Sequence, residues 1–408
     1  MRRRSLFVTR LLPSLIVLAA CGSDAGTSPP DAIDAGSPVA DSGPPIVVPP
    51  NDAGSIVRDD AGPDITKDTD QDGVPDLIEG TGDDDGDGKP NYDDPINDGD
   101  PGAIKLVPIS TNFNSPIGID YHEPTNSVVL SVNYTTGTPV GFERIEFDGK
   151  HYAFSTLSGL TDEVKIATAR TGNPAGFPVG TLFVGNGVDG QIVRISPDGA
   201  TVQNPWVDLP GDNNGLMRGS LYVDRTGVFG GDLMVVTTVG EIWRVTAAGA
   251  PTKLATIAGV HLEGAVVVPN KPARFGPLAG KLIIGAEEQH LLYAVGTDGV
   301  VTNYSLGVDV EDIDLNTGKE NFFGVDFGAS RLLGADPAQW AKMVGDVILT
   351  QESVAAGTSG LFRLKWDGAN VVAQPIPLTA DSASVGHWEH VTFAAAGIAE
   401  LPPVPVVH

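Results

Sequence analysis

From about Ala103 onward, short apolar runs alternate with polar, glycine-containing breaks, and the runs recur. ERIEFDG (from Glu143), QIVRISPDG (from Gln191), EIWRVTAAG (from Glu241), HLLYAVGTDG (from His290) and GLFRLKWDG (from Gly360) are five versions of one strand-and-turn unit. The first four closing glycines, Gly149, Gly199, Gly249 and Gly299, stand about fifty residues apart, a propeller-sized period. The fifth, Gly368, comes later by the length of a hairpin and a short helix; Asp336 followed by Pro337 reads as the start of that helix. Each unit has the same neighbours. Before it lies an apolar strand (SVVLSVNY, TLFVGNG, DLMVVTTV, KLIIGAEE, DVILTQES), and after it another (HYAFSTL, TVQNPWVDL, PTKLATI, VTNYSLGV, VVAQPIPL). A further strand opens each unit: PIGIDY, DEVKIAT, GSLYVD, GAVVVP, and then EDIDL or NFFGVDF. Asp-Gly pairs such as Asp198-Gly199 supply hairpin turns, because both residues tolerate positive φ.

Four strands per unit make the blade of a β-propeller. The pattern predicts an all-β fold over 103–408, a β-propeller of five to six four-stranded blades. AIKLVPIS (from Ala103) and WEHVTFA (from Trp388) are left over at the two ends. Paired with each other they would close the ring and remove its open edges.

The pattern upstream is of another kind. Over 67–100 the apolar periodicity gives way to regularly spaced acids. Asp68 to Glu79 reads DTDQDGVPDLIE and Asp83 to Asp94 reads DDDGDGKPNYDD. Each segment puts acids at positions one, three and five, glycine at six, Asp or Asn at nine and an acid at twelve. Such spacing gathers oxygens around one hard cation, and the glycine permits the sharp turn. The first cage would comprise Asp68, Asp70, Asp72, the Val74 carbonyl, Asp76 and Glu79. The second would comprise Asp83, Asp85, Asp87, the Lys89 carbonyl, Asn91 and Asp94. A solvated acidic run is the competing reading, but it gives no reason for glycine at six and an acid at twelve to occur twice.

The upstream stretch GSIVRDDAGPDITK has glycine and proline inside its last turns and is poor helix, so an EF-hand is disfavoured. The two loops resemble thrombospondin type 3 repeats, which wrap calcium in consecutive DxDxDGxxDxxD segments. Two departures are Glu79 at the end of the first repeat and the lack of the cysteines found in animal repeats. The resemblance implies Ca²⁺ as the bound cofactor and a role in adhesion or matrix contact.

Arg2, Arg3 and Arg4 precede a short apolar run, Leu6 to Ala20, that ends in Leu18-Ala19-Ala20-Cys21. That ending resembles a bacterial lipobox. It implies a signal peptide over 1–21 and a lipid on Cys21, anchoring the chain to the outer membrane or cell surface of a bacterium. Cys21 is the single cysteine, so no disulfide within the chain is possible. The following 22–66 is rich in Asp, Ala, Gly, Ser and Pro and is expected to be a disordered tether.

The sequence contains no GxSxG, HExxH, Walker or dinucleotide signature. His387 and His390 lie three apart in an expected strand and would face opposite sides, which argues against joint ligation. Polar residues do lead into the expected innermost strands: Glu163, Asn213, Asn214, Glu263, Asp312 or Asn321, and Glu389. In a propeller they would converge at one channel mouth. This loosely resembles the gluconolactonase/senescence-marker and paraoxonase propellers, and implies a channel calcium held by Glu263 and Asn214 with Glu389 or Asn321. The competing reading is strand capping.

Charge narrows the partners. There are 25 Lys+Arg against 52 Asp+Glu, a net charge of −27. Such a field repels nucleic acid and polyphosphates and attracts divalent cations. The sequence therefore reads as a calcium-binding surface lipoprotein, a metal-stiffened stalk presenting a propeller to a protein or glycan partner. The alternative is a calcium-dependent lactonase or esterase seated in the channel.

Overall fold

The apolar runs form strands where the alternation places them, and the strands assemble into six four-stranded antiparallel sheets. In this computed structural model the described residues are 66–395, apart from 97–98, 112, 135, 137, 147–148, 161, 219 and 353–358. They belong to one unit, Asp60–His408. The expected signal peptide, Cys21 and nearly all of the tether lie outside the described residues. Among the described residues no helix is long and apolar enough to cross a membrane.

Blades I to IV each use four consecutive strands. Their innermost strands are Ile119–His122, Ile166–Thr168, Ser220–Val223 and Glu263–Val267. Blade V opens with Val310–Leu315 and resumes at Val347–Gln351, Gly360–Trp366 and Val371–Ile376. The segment EDIDL is thus its opening strand. NFFGVDF is not: Asn321–Asp326 and Arg331–Ala335 form a hairpin inserted into blade V that belongs to blade VI. On the inner side of this hairpin pairs Trp388–Ala394, and on its outer side Val107–Ser110. The two leftover end strands therefore share one sheet, with the hairpin between them. The ring has six blades and none is incomplete.

The second strands of the blades are covered on both faces by neighbouring blades; Leu233–Val236 and Leu282–Ala286 are apolar and buried at every position. Outer strands such as Val202–Asp208 face water for most of their length. In blade VI, Phe322 packs on Trp340 at 4.8 Å and on Phe393 at 5.5 Å between ring centroids. Trp340 comes from a 3₁₀ helix, Pro337–Met343, whose Asp336 side chain accepts from Ala338 N–H at 3.0 Å. Burying each such ring stabilises the fold by about 1.5–3 kcal/mol.

Candidate functional site

Two acid-bearing sites emerge, one in the loops over 68–94 and one inside the channel. The loops share a single hydrogen-bond scheme. In the first, Asp68 accepts from Gly73 N–H (3.1 Å), Asp70 from Asp72 (3.0 Å), Asp72 from Val74 (2.6 Å) and Asp76 from Thr69 (2.7 Å). In the second, Asp83 accepts from Gly88 (3.2 Å), Asp85 from Asp87 (3.0 Å), Asp87 from Lys89 (2.8 Å) and Asn91 from Asp84 (3.0 Å). Position for position the schemes coincide.

Beyond this shared scheme Asp83 also accepts from Gly86 N–H at 2.8 Å, and the second oxygens of Asp72 and Asp87 meet Arg274 and Lys89. In the first loop Asp68 Oδ1, Asp70 Oδ2 and Glu79 Oε2 are buried without a hydrogen-bond partner. Oxygens of Asp68, Asp70 and Asp72 lie within 4.8 Å of one another, as do those of Asp83, Asp85 and Asp87. Burial, reinforced by Asp72 and Asp70, pushes Glu79 up to about 8; burial pushes Asp70 up to about 7. Orphaned, mutually repelling oxygens are a donor set for a hard cation, and no nitrogen or sulfur ligand accompanies them. The residues at position nine act differently. Asp76 is tied to Lys67 at 2.6 Å, and that bond first of all holds it down at about 2. Asn91 braces the backbone, donating to the Glu79 carbonyl at 3.3 Å.

The two loops differ in their surroundings. The first is seated on the flank of the propeller and does not stand free as a stalk. Asp72 pairs with Arg274, which also pairs with Asp346 at 2.9 Å; Asp346 in turn meets Arg363 at 2.5 Å. The Val74 side chain is buried, and a Cβ on Gly345 would lie 2.9 Å from it. In the second loop Lys89 is exposed and its ammonium lies 3.2 Å from Asp87 and 3.5 Å from Asp94. Asp94 itself is buried, which raises its pKa, and it accepts from Ile96 N–H at 3.2 Å.

At the channel mouth where the inner strands begin, Glu163, Glu263 and Glu389 do converge. Glu311, which the sequence reading passed over, joins them. Their centre is filled by the Lys165 ammonium, bonded to Glu311 and lying 3.2 Å from Glu163 and 3.4 Å from Glu389. Burial disfavours that charge, but the carboxylates outweigh it and raise the Lys165 pKa well above normal. Burial, then Glu311, pushes Glu263 up to about 11. Neither amide reaches this mouth. Asn214 donates to the Leu209 and Gly211 carbonyls at 2.9 and 3.1 Å and braces a loop. Asn321 pairs in register with Ala394, at the opposite end of the inner strand from Glu389. Asp312 lies one residue beyond Glu311 and binds Val391 N–H at 2.7 Å. The two histidines have separate partners: His387 meets Glu352 and Glu389, whereas His390 accepts from Ile119 N–H at 3.0 Å. Lys165 was legible only as a cation in an apolar strand lead, two residues after Glu163.

No family model matches this chain, and no curated protein does. Among solved structures, a provisionally named gluconolactonase matches at 10% identity and TM-score 0.46, over 74% of this chain and 96% of its own. Virginiamycin B lyase from Staphylococcus aureus matches at 13% identity and TM-score 0.39, over 68% and 89%. A protein of unknown function from Bacteroides thetaiotaomicron gives 13% and 0.44, over 72% and 74%. Likeness at this level leaves the chemistry of this chain to its own residues.

Proposed function

We propose that this chain is a calcium-binding, extracytoplasmic lipoprotein in which ion-filled loops brace a propeller used for binding. The observation that carries the reading is the repeated loop scheme, with three buried carboxylate oxygens of the first loop left unpartnered. Asp68, Asp70, Asp72 and Glu79 would hold one ion, and Asp83, Asp85, Asp87 and Asp94 another. Calcium would supply the positive charge that these oxygens lack, and thereby order both segments. The resemblance to thrombospondin type 3 repeats and the lipobox around Cys21 agree with a surface location.

Isothermal titration of the purified chain, with metal content counted per molecule, tests this directly. Two calcium ions per chain are expected. Asp70→Asn should remove one and Asp85→Asn the other. Asp70 is the better probe than Asp72, whose loss would also strip Arg274 of a buried partner. No bound metal and no heat would end the reading.

A second reading is a calcium-dependent lactonase or esterase in the channel. It draws on the surplus of buried carboxylates, Glu163, Glu263, Glu311 and Glu389, at the mouth. Against it, Lys165 holds the position an ion would take, and Asn214 and Asn321 lie elsewhere. Turnover of lactones or aryl esters that is lost with EDTA and with Glu263→Ala would favour it.

A further inference from the structure

We propose that the opposite mouth of the channel, where the inner strands end, is a binding site for a neutral saccharide. A bowl of about 300 Å³ opens there, at the lower end of the range for small-molecule sites. Its walls come from blades I, II, III and VI and from the connection between blades V and VI. Tyr121, Arg170, Arg225 and Glu320 are the side chains that define its chemistry.

Both guanidiniums are immobilised. Arg170 donates to Glu320 at 3.0 Å, to the Phe393 carbonyl at 2.9 Å, to Asp120 at 2.7 Å and to Thr392 at 3.0 Å. Arg225 donates through Nε to the Tyr222 hydroxyl at 3.1 Å and through Nη2 to Asp314. Each also lies 5.3 Å from a tyrosine ring centroid, Arg170 over Tyr121 and Arg225 over Tyr222. Fixed planar groups need little ordering when a ligand arrives, and this lowers the entropic cost of binding.

Their charges are also balanced. Asp120 and Glu320 flank Arg170, and Asp314 faces Arg225. An anion entering the bowl would meet Glu123 and Glu320 under a molecular field of net charge −27. A metal cation would meet two guanidiniums. What remains unspent is hydrogen-bonding capacity of both kinds. Arg225 Nη1 has no partner among the described residues, while the carboxylates of Glu123 and Glu320 keep lone pairs beyond the bonds they make. The Thr171 and Thr317 hydroxyls at the rim already donate to Glu123 and, at 2.7 Å, to Glu320, and keep their own lone pairs as acceptors. A neutral ring with vicinal hydroxyls, each able to donate and accept, matches that set.

The bowl shares no charged residue with the calcium loops, so this proposal stands or falls apart from the calcium reading. The full chain is titrated by calorimetry and ligand-observed NMR with glucose, galactose, maltose and cellobiose, and with gluconate as an anionic probe. At least one neutral sugar is expected to bind, equally well with EDTA or added salt. Glu320→Gln should weaken that binding about tenfold, the scale of one hydrogen bond to a charged group, and Thr171→Val severalfold. Thr171 is exposed, so its variant serves as the readout if Glu320→Gln misfolds. The proposal is overturned if none of the sugars binds, if both variants bind as the parent does, or if gluconate binds more tightly and salt releases it.

Discussion

At the scale of single residues, the channel is governed by the contest between burial and charge. Lys165 is almost fully buried yet stays charged because Glu163, Glu311 and Glu389 surround it. Removing one partner from a buried ionic set costs about 3–5 kcal/mol, since the remainder is left uncompensated. Lys165→Met should therefore destabilise the chain by that amount despite its similar length. It would also leave three carboxylates within 4.8 Å of one another. Calcium should restore much of the lost stability in the variant, as measured by denaturant midpoints with and without the ion. A variant as stable as the parent would mean that the ammonium merely fills space.

His390 provides the pH-dependent counterpart. Its Nδ1 accepts from Ile119 N–H, which requires that nitrogen to be unprotonated. Burial, then the charge of Lys165, pushes the imidazole from 6.5 down to about 3. The folded state thus binds fewer protons than the unfolded state between those values. Its stabilising contribution is complete above 6.5 and is lost as the pH falls toward 3. His390→Asn keeps an acceptor but does not titrate. The stability gap between parent and variant should narrow by about 2–3 kcal/mol on going from about pH 7 to about pH 4. A gap that is flat across that window would mean the ring is not held neutral.

At the scale of elements, local signals were legible and pairing between distant segments was not. Alternating apolar runs and Asp-Gly turns located the strands of blades I to IV because each of those strands pairs with its sequence neighbour. EDIDL and NFFGVDF could not be ranked. Both open on a polar residue and mix apolar residues with aspartate, and only contacts with Trp388–Ala394 decide that the second lies in blade VI. The loops show the same division. Twelve-residue spacing gave the acids, but not that Val74 would anchor one loop to the propeller while Lys89 kept the other in solvent. Turns can be tested directly. At Gly199, φ is +73° and an added Cβ would lie 1.8 Å from the Phe154 carbonyl oxygen. Gly259 has φ +75° and open space. Alanine at 259 should cost about 1–2 kcal/mol for the left-handed backbone alone. Gly199→Ala should cost clearly more, because the neighbouring backbone must move; equal denaturation midpoints would refute that difference.

At the scale of the whole molecule, the question is whether calcium acts on the loops alone or on the propeller they touch. The chain Asp72–Arg274–Asp346–Arg363 runs from the first loop into blades IV and V, and every member is largely buried. Breaking the loop open would expose Arg274, Asp346 and the buried Val74 side chain, so the loop and the propeller should melt together. A ligand that binds only the folded state stabilises it by about 2.7 kcal/mol at a hundredfold excess over its dissociation constant. Calcium should accordingly raise the propeller's own melting temperature, as read by the fluorescence of the buried Trp340 and Trp388. Asp70→Asn should abolish most of the rise. Asp85→Asn should spare it, because the second loop is the more exposed of the two and carries its own counter-ion in Lys89. If the tryptophan transition ignores calcium while the ion still binds, the loops are a passenger on the ring; if it shifts in the parent and not in Asp70→Asn, the first ion is a structural part of the propeller.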